Sequence, residues 1–362
     1  MKYIQEFRGR DDARRLAEAI CGLPLGRRIT LMEVCGSHTM AIHRFGIRDL
    51  LPETVNLISG PGCPVCVTEM AYIDRAVAIG RLPEVVLTTF GDMMKVPGAH
   101  TTLSHERAAG RDIRVVYSTL DALEVARRRS DRQVVFLGVG FETTAPTVAA
   151  AVQQARRERL DNFSVLVAHK LIPPAMDVLA RDPAVGVHGY LCPAHVSAVI
   201  GARAYEFLPQ RYGVACAVVG FEPLDILQGV RLLAEQIIRG APTVDNEYAR
   251  VVRPEGNRAA QRLLAETFQP CDDRWRGIGL LPGSGLALRD EFREFDAAAR
   301  FPVPLEPAAE PAGCRCGDIL KGICQPPDCA LFGTACVPES PVGACMVSSE
   351  GTCAAWYKYR RD

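Results

Sequence analysis

Short apolar runs rich in β-branched residues alternate along most of this chain with stretches whose apolar positions recur every three or four residues. Residues 29–34, 55–59, 85–89, 113–117, 134–139, 164–168 and 214–219 predict buried strands. Residues 12–21, 68–79, 120–129, 144–159 and 224–239 predict helices between them. A parallel strand covered by helices on both faces shows a nearly continuous apolar run, so the alternation predicts α/β architecture with parallel sheets. Val139-Gly140-Phe141-Glu142 and Val219-Gly220-Phe221-Glu222 each close a predicted strand, with a shorter echo at Thr89-Phe90-Gly91-Asp92. These repeats suggest a duplicated strand–turn–helix design carried by two sheets.

The periodicity stops near residues 301–313, a proline- and alanine-rich stretch that reads as a linker. Beyond it the chain is cysteine, proline and glycine with little apolar surface, and a bound metal would supply the missing stabilisation. At 362 residues the expected division is an α/β domain over 1–125, a second over 126–242, and a C-terminal cysteine-rich domain over 243–362. Lysine plus arginine equal aspartate plus glutamate, 42 against 42, which gives no surplus charge for nucleic acid or an acidic membrane. No apolar run reaches the roughly 18 residues of a membrane span, and the N-terminus carries no signal-peptide pattern, so a soluble cytoplasmic protein is expected.

In a reducing compartment the 14 cysteines are thiols or metal ligands rather than structural disulfides. Seven fall between Cys314 and Cys353, at Cys314, Cys316, Cys324, Cys329, Cys336, Cys345 and Cys353. No histidine follows His195, so a metal here would be held by sulfur alone. Zinc sites favour paired C-x2–4-C knuckles, whereas widely spaced thiolates suit an iron–sulfur cluster at least as well. Zinc and inert thiols remain the alternatives.

Three further cysteines follow predicted strands, where open α/β sheets build their sites. Cys35 opens Cys35-Gly36-Ser37-His38, and Cys63 and Cys66 lie in Gly60-Pro61-Gly62-Cys63-Pro64-Val65-Cys66. A helix beginning at Cys66 would lower its thiol pKa. The C-x-x-C pair reads as a redox dithiol, as half of a metal site, or as two buried small side chains. His38 is a ligand, a proton shuttle or a turn residue. Glu142, in Gly140-Phe141-Glu142-Thr143-Thr144, reads as a proton-transfer group or as part of a capped turn. Pro193-Ala194-His195-Val196-Ser197 could bring His195 to the edge of the second sheet.

Together these segments resemble the HypD family of hydrogenase maturation factors, whose cluster spacing C-x14-C-x6-C-x16-C fits Cys314, Cys329, Cys336 and Cys353 without adjustment. The tail Gly343-Ala344-Cys345-Met346-Val347-Ser348-Ser349-Glu350-Gly351 is also typical of that family. The resemblance implies two α/β domains flanking a cleft and a C-terminal domain with a [4Fe–4S] cluster on those four cysteines. It implies an iron centre bearing cyanide and carbon monoxide, bound by Cys35 with Cys63 and Cys66 as further contacts or a redox dithiol. His38 would donate hydrogen bonds to the cyanides. The partners implied are the small chaperone HypC, the cyanide donor HypE and, indirectly, the large subunit of a [NiFe]-hydrogenase. The chain would be an assembly scaffold with redox activity rather than a stand-alone enzyme. A ferredoxin-coupled thiol–disulfide oxidoreductase using Cys63, Cys66 and the cluster is the alternative. Met40 stands where the family often has a second histidine, Glu69 where proline is common, and Cys316, Cys324 and Cys345 fall outside the four-cysteine spacing as expected accessory or free thiols.

Overall fold

The computed structural model describes residues 5–305 and 310–359; four residues of the expected linker, 306–309, lie outside them. The strands are β1 (Ile29–Glu33), β2 (Val55–Ser59), β3 (Val85–Thr89), β4 (Ile113–Val115), β5 (Gln133–Gly140), β6 (Phe163–His169), β7 (Gly189–Pro193), β8 (Ala215–Val219), β9 (Val244–Asn246), β10 (Phe268–Trp275) and β11 (Gly279–Leu288). Strands β3, β7 and β8 are buried along their whole length, as parallel strands between helical layers must be.

One sheet runs β2-β1-β7-β8-β9 and a second runs β4-β3-β5-β6, with every pair parallel; β10 and β11 form a separate antiparallel hairpin. Numbered within each sheet, the order is 2-1-3-4-5 in one and 2-1-3-4 in the other, so the two share a doubly wound plan. The resemblance among the Gly-Phe-Glu turns reflects this: Gly140-Phe141-Glu142 closes β5 and Gly220-Phe221-Glu222 closes β8, each followed by a helix (Ala145–Glu158, Pro223–Arg239).

The chain makes β1 and β2, crosses to build the whole second sheet, and returns for β7 to β9. The boundary expected between residues 125 and 126 therefore falls inside the second sheet, between β4 and β5. That expected between 242 and 243 falls just before β9, which pairs with β8. His195 follows β7 and thus lies on the sheet of β1, not on the second sheet. Periodicity marks strands but not which of them pair, so such a crossing is invisible to it.

The expected helix 68–79 is found as Met70–Gly80, and a separate short helix, Pro64–Val67, precedes it, because Thr68 and Glu69 between them are extended (ψ 124° and 146°). The cysteine-rich tail has no separate core of its own. Ile319, Leu320, Cys345 and Met346 join the same buried cluster as Met32, Leu87, Val135 and Leu137, which spans both sheets. No helix among the described residues is long and apolar enough to cross a membrane.

Candidate functional site

Because β1 and β2 are adjacent and parallel, their carboxyl ends lie side by side and so do the turns that leave them. The Gly60 N–H donates to the Glu33 carbonyl at 2.7 Å, and the Gly36 N–H donates to the Gly62 carbonyl at 2.9 Å. Gly62 is where the two turns touch: an ideal Cβ there would stand 2.1 Å from the Cys35 nitrogen. Only glycine lets two backbones approach this closely. Cys35 and Cys63 are thereby brought to one edge.

Cys35 directly precedes the nine-residue helix Gly36–Arg44, with its buried sulfur at the helix start near the backbone N–H groups of Ser37 and His38, which favour its charged form. Burial, aided by the nearby Glu350 carboxylate, pushes the thiol up to about 12. It is therefore protonated at neutral pH and ionises only when a cation displaces the proton. Glu33, 1% exposed at the end of β1, accepts from the Cys35 N–H at 3.0 Å through Oε2 and from the Thr39 hydroxyl through Oε1. Desolvation pushes its carboxyl up to about 7.

Cys63 caps the short helix Pro64–Val67 and is joined to Cys66 as a disulfide, with Cα atoms 5.3 Å apart. Cys66 thus lies inside that helix rather than beginning the longer one.

His38 is fully buried, and its Nε2 donates to the carbonyls of Val219 (3.0 Å) and Gly220 (2.9 Å). Those bonds fix the tautomer and leave Nδ1, without a protein partner among the described residues, as an acceptor. His38 therefore cannot donate to a cyanide in this tautomer, contrary to the expectation. Burial lowers its pKa to about 4, so the ring is neutral. Phe221 packs between His38 and His195, with centroids 4.9 and 4.1 Å away. In the first sheet the strand order reverses between β1 and β7, where Cys35 and His195 leave the strands, the place at which doubly wound sheets bind ligands.

The second sheet reverses between β3 and β5, above which stand Asp92 and Glu142. Glu142 is 2% exposed; its Oε1 accepts from the Ile172 N–H at 2.9 Å and its Oε2 has no partner among the described residues. Burial pushes it up to about 7, within range of proton exchange.

Residues 348–351 lie across both turns, a contact that nothing in the periodicity announced. Ser348 Oγ donates to Asp92 Oδ2 at 2.7 Å, and Ser37 Oγ donates to Glu350 Oε1 at 2.7 Å. A Cβ on Gly351 would stand 3.1 Å from the Cys66 sulfur. The same segment leads into a pocket lined by Cys314, Cys316, Cys329, Cys336, Cys345 and Cys353 with Leu331, Phe332 and Met346. Among the described residues no three His, Cys, Asp or Glu groups converge tightly enough to chelate a single ion. The pocket offers sulfur donors alone, the set that soft metal ions and iron–sulfur clusters take. Cys316 and Cys345, read from sequence as accessory thiols, have their sulfurs 2.6 Å apart. Cys324 does not line this pocket, and Cys192 and Cys216 are buried on β7 and β8.

The family model described as HypD, hydrogenase formation hypA family, matches residues 11–360. The hydrogenase maturation factor HypD of Escherichia coli K12 is 44% identical over 372 residues, covering 100% of this chain and 99% of that protein. The HypD proteins of Azotobacter vinelandii and Cupriavidus necator are 46% and 44% identical over 370 residues, each covering 100% of this chain and 98% of the relative. The chain belongs to the HypD family of hydrogenase maturation factors. Residues 35–38, 60–66, 140–144, 193–197 and 343–351 all fall within the HypD match.

Proposed function

We propose that this chain is an assembly scaffold that receives iron as cargo at Cys35 and holds a [4Fe–4S] cluster on Cys314, Cys329, Cys336 and Cys353. In this reading it works with a HypC-type chaperone and a HypE-type cyanide donor, and the finished iron, bearing cyanide and carbon monoxide, passes to the hydrogenase large subunit. One observation carries the reading: the segment from Cys345 to Cys353 belongs to the thiol pocket at both ends and rests between them on Cys66 and on the Cys35 turn. The cluster would supply reducing equivalents.

The chain's own groups divide the remaining work. Cys35 offers a soft thiolate once its proton leaves, and the Ser37 and His38 N–H groups stabilise the resulting charge. Cys63 and Cys66 accept two electrons and two protons when their disulfide opens. Cys316 and Cys345, with sulfurs 2.6 Å apart, stand on the side of the pocket from which residues 348–351 reach that disulfide. Glu142, poised near 7, is a candidate to hold or release a proton at the second sheet's edge. His38 presents an acceptor nitrogen, suited to ligating iron or taking a proton.

The disulfide itself favours the second reading, a ferredoxin-coupled thiol–disulfide oxidoreductase. Such an enzyme has no use for Cys35. Infrared spectra of anaerobically purified protein with its small chaperone separate the two: cyanide and carbon monoxide bands that vanish in Cys35→Ala support the scaffold. A well-loaded sample with no such bands, and with disulfide reduction intact in Cys35→Ala, refutes it.

A further inference from the structure

Glu33 stands at one of the two points where the cysteine-bearing turns are tied together, the other being the Gly36–Gly62 hydrogen bond. Its backbone carbonyl accepts from Gly60 at 2.7 Å, which anchors the turn leading to Cys63 and Cys66. Its side chain reaches the other way: Oε2 takes the Cys35 N–H at 3.0 Å, and Oε1 takes the Thr39 hydroxyl one turn into the following helix. The Cys35 amide precedes a helix whose first turn carries no side-chain cap, so Glu33 supplies from the preceding strand the acceptor this amide would otherwise lack. A carboxylate with 1% exposure is costly even with the Ser59 hydroxyl and the Arg48 guanidinium near it, and no solvent-facing role accounts for it.

We infer that Glu33 is a positioning residue, which through these bonds fixes the Cys35 sulfur at a set height above the Cys63–Cys66 turn. The inference deepens the scaffold reading and rests on it only for the role of the positioned sulfur. What matters is hydrogen-bond geometry rather than charge. An amide at this position keeps it: its oxygen accepts from Cys35, its NH2 donates to the Thr39 hydroxyl, and that hydroxyl turns toward the Cys35 carbonyl, 3.4 Å away.

The test compares Glu33→Gln and Glu33→Ala in the full chain by two readouts. The first is the alkylation rate of Cys35 by iodoacetamide, followed on its own peptide by mass spectrometry. The second is the position and width of the infrared cyanide and carbon monoxide bands in the complex with the small chaperone. Alkylation of a buried thiol reports local opening, so losing the clamp in Glu33→Ala should speed it roughly tenfold or more. Glu33→Gln should stay within about threefold of wild type, since one acceptor and one donor remain in place. The bands should shift or broaden in Glu33→Ala and hold in Glu33→Gln. If Glu33→Gln behaves like Glu33→Ala, charge is what matters and the positioning role is wrong. If Glu33→Ala alkylates at the wild-type rate, it is also wrong. Should Glu33→Ala fail to fold, Thr39→Val removes one of the two side-chain bonds, and an unchanged alkylation rate there overturns the inference. A wild type without infrared bands but with the expected order of alkylation rates sinks the scaffold reading and leaves Glu33's role standing.

Discussion

Gly62→Ala is the most informative single-atom change. The added Cβ would fall 2.1 Å from the Cys35 nitrogen, 2.4 Å from its Cα and 2.4 Å from the Val34 carbonyl carbon. Optimal carbon contacts are about 3.5–4.0 Å, so the turns must part by about 1–1.5 Å. These neighbours are backbone, held by the Gly36–Gly62 and Gly60–Glu33 hydrogen bonds of 2.9 and 2.7 Å, and no rotamer relieves the clash. Overpacking costs about 1–3 kcal/mol, and each hydrogen bond lost adds about 1 kcal/mol, so about 2–5 kcal/mol is expected. At about 2–4 °C per kcal/mol for domains of 150–250 residues, thermal unfolding followed by circular dichroism should move down by roughly 5–15 °C. Cys35 alkylation should accelerate with it. Gly91→Ala is the control, because its Cβ would meet only Val115 Cγ1 at 3.8 Å, an ordinary contact. A Gly62→Ala protein that melts with wild type and alkylates at the wild-type rate would refute the packing of the two turns.

Cys329→Ala and Cys353→Ala should each abolish the brown chromophore and the acid-labile sulfide, checked by absorbance and metal analysis; a colourless wild type holding one zinc contradicts the cluster. Cys316→Ser should keep the chromophore yet slow reduction of the Cys63–Cys66 disulfide, measured by thiol titration, and loss of colour would make Cys316 a ligand instead. Glu142, pushed up to about 7 by burial, keeps its proton over a range where an unfolded glutamate near 4.3 has lost it. Its contribution to stability is therefore full below about 4.3, declines as pH rises through 7 and is absent above, at most about 4 kcal/mol. Glu33 and Glu247 shift the same way, so the test is a difference: Glu142→Gln should flatten the fall in denaturant midpoint between pH 5 and 8, and a slope equal to wild type's contradicts it.

Much of the two sheets was legible because buried parallel strands have a plain signature: all seven expected strands lie in them. The expected strand 113–117 ends at Val115, and Tyr117 beyond it is 94% exposed. β7 escaped notice because Gly189 opens it and Pro193 closes it, residues that usually mark turns. β9 has only three residues, and half of the first strand of the β10–β11 hairpin is exposed, so neither shows a clear pattern. At the site, glycine and proline around the cysteines announced tight turns at strand ends. The docking of residues 348–351 was not legible, because a segment without periodicity does not say what it covers. Glu350 and Glu33 look in sequence like any glutamates, and burial and partners alone mark them out. His38 was recognisable as a candidate, but its acceptor role depends on two carbonyls some 180 residues away.

The central claim is that one chain holds two distinct irons, a thiolate-bound cargo at Cys35 and a cluster in the C-terminal thiol pocket. Mössbauer spectra of 57Fe-labelled protein, purified anaerobically with its small chaperone, test this most directly. The account predicts two components, a cluster signal and a low-spin single-iron signal. Cys35→Ala should remove only the low-spin signal, and Cys329→Ala should remove the cluster signal. A single component in wild type, or a low-spin signal that survives Cys35→Ala, would contradict it.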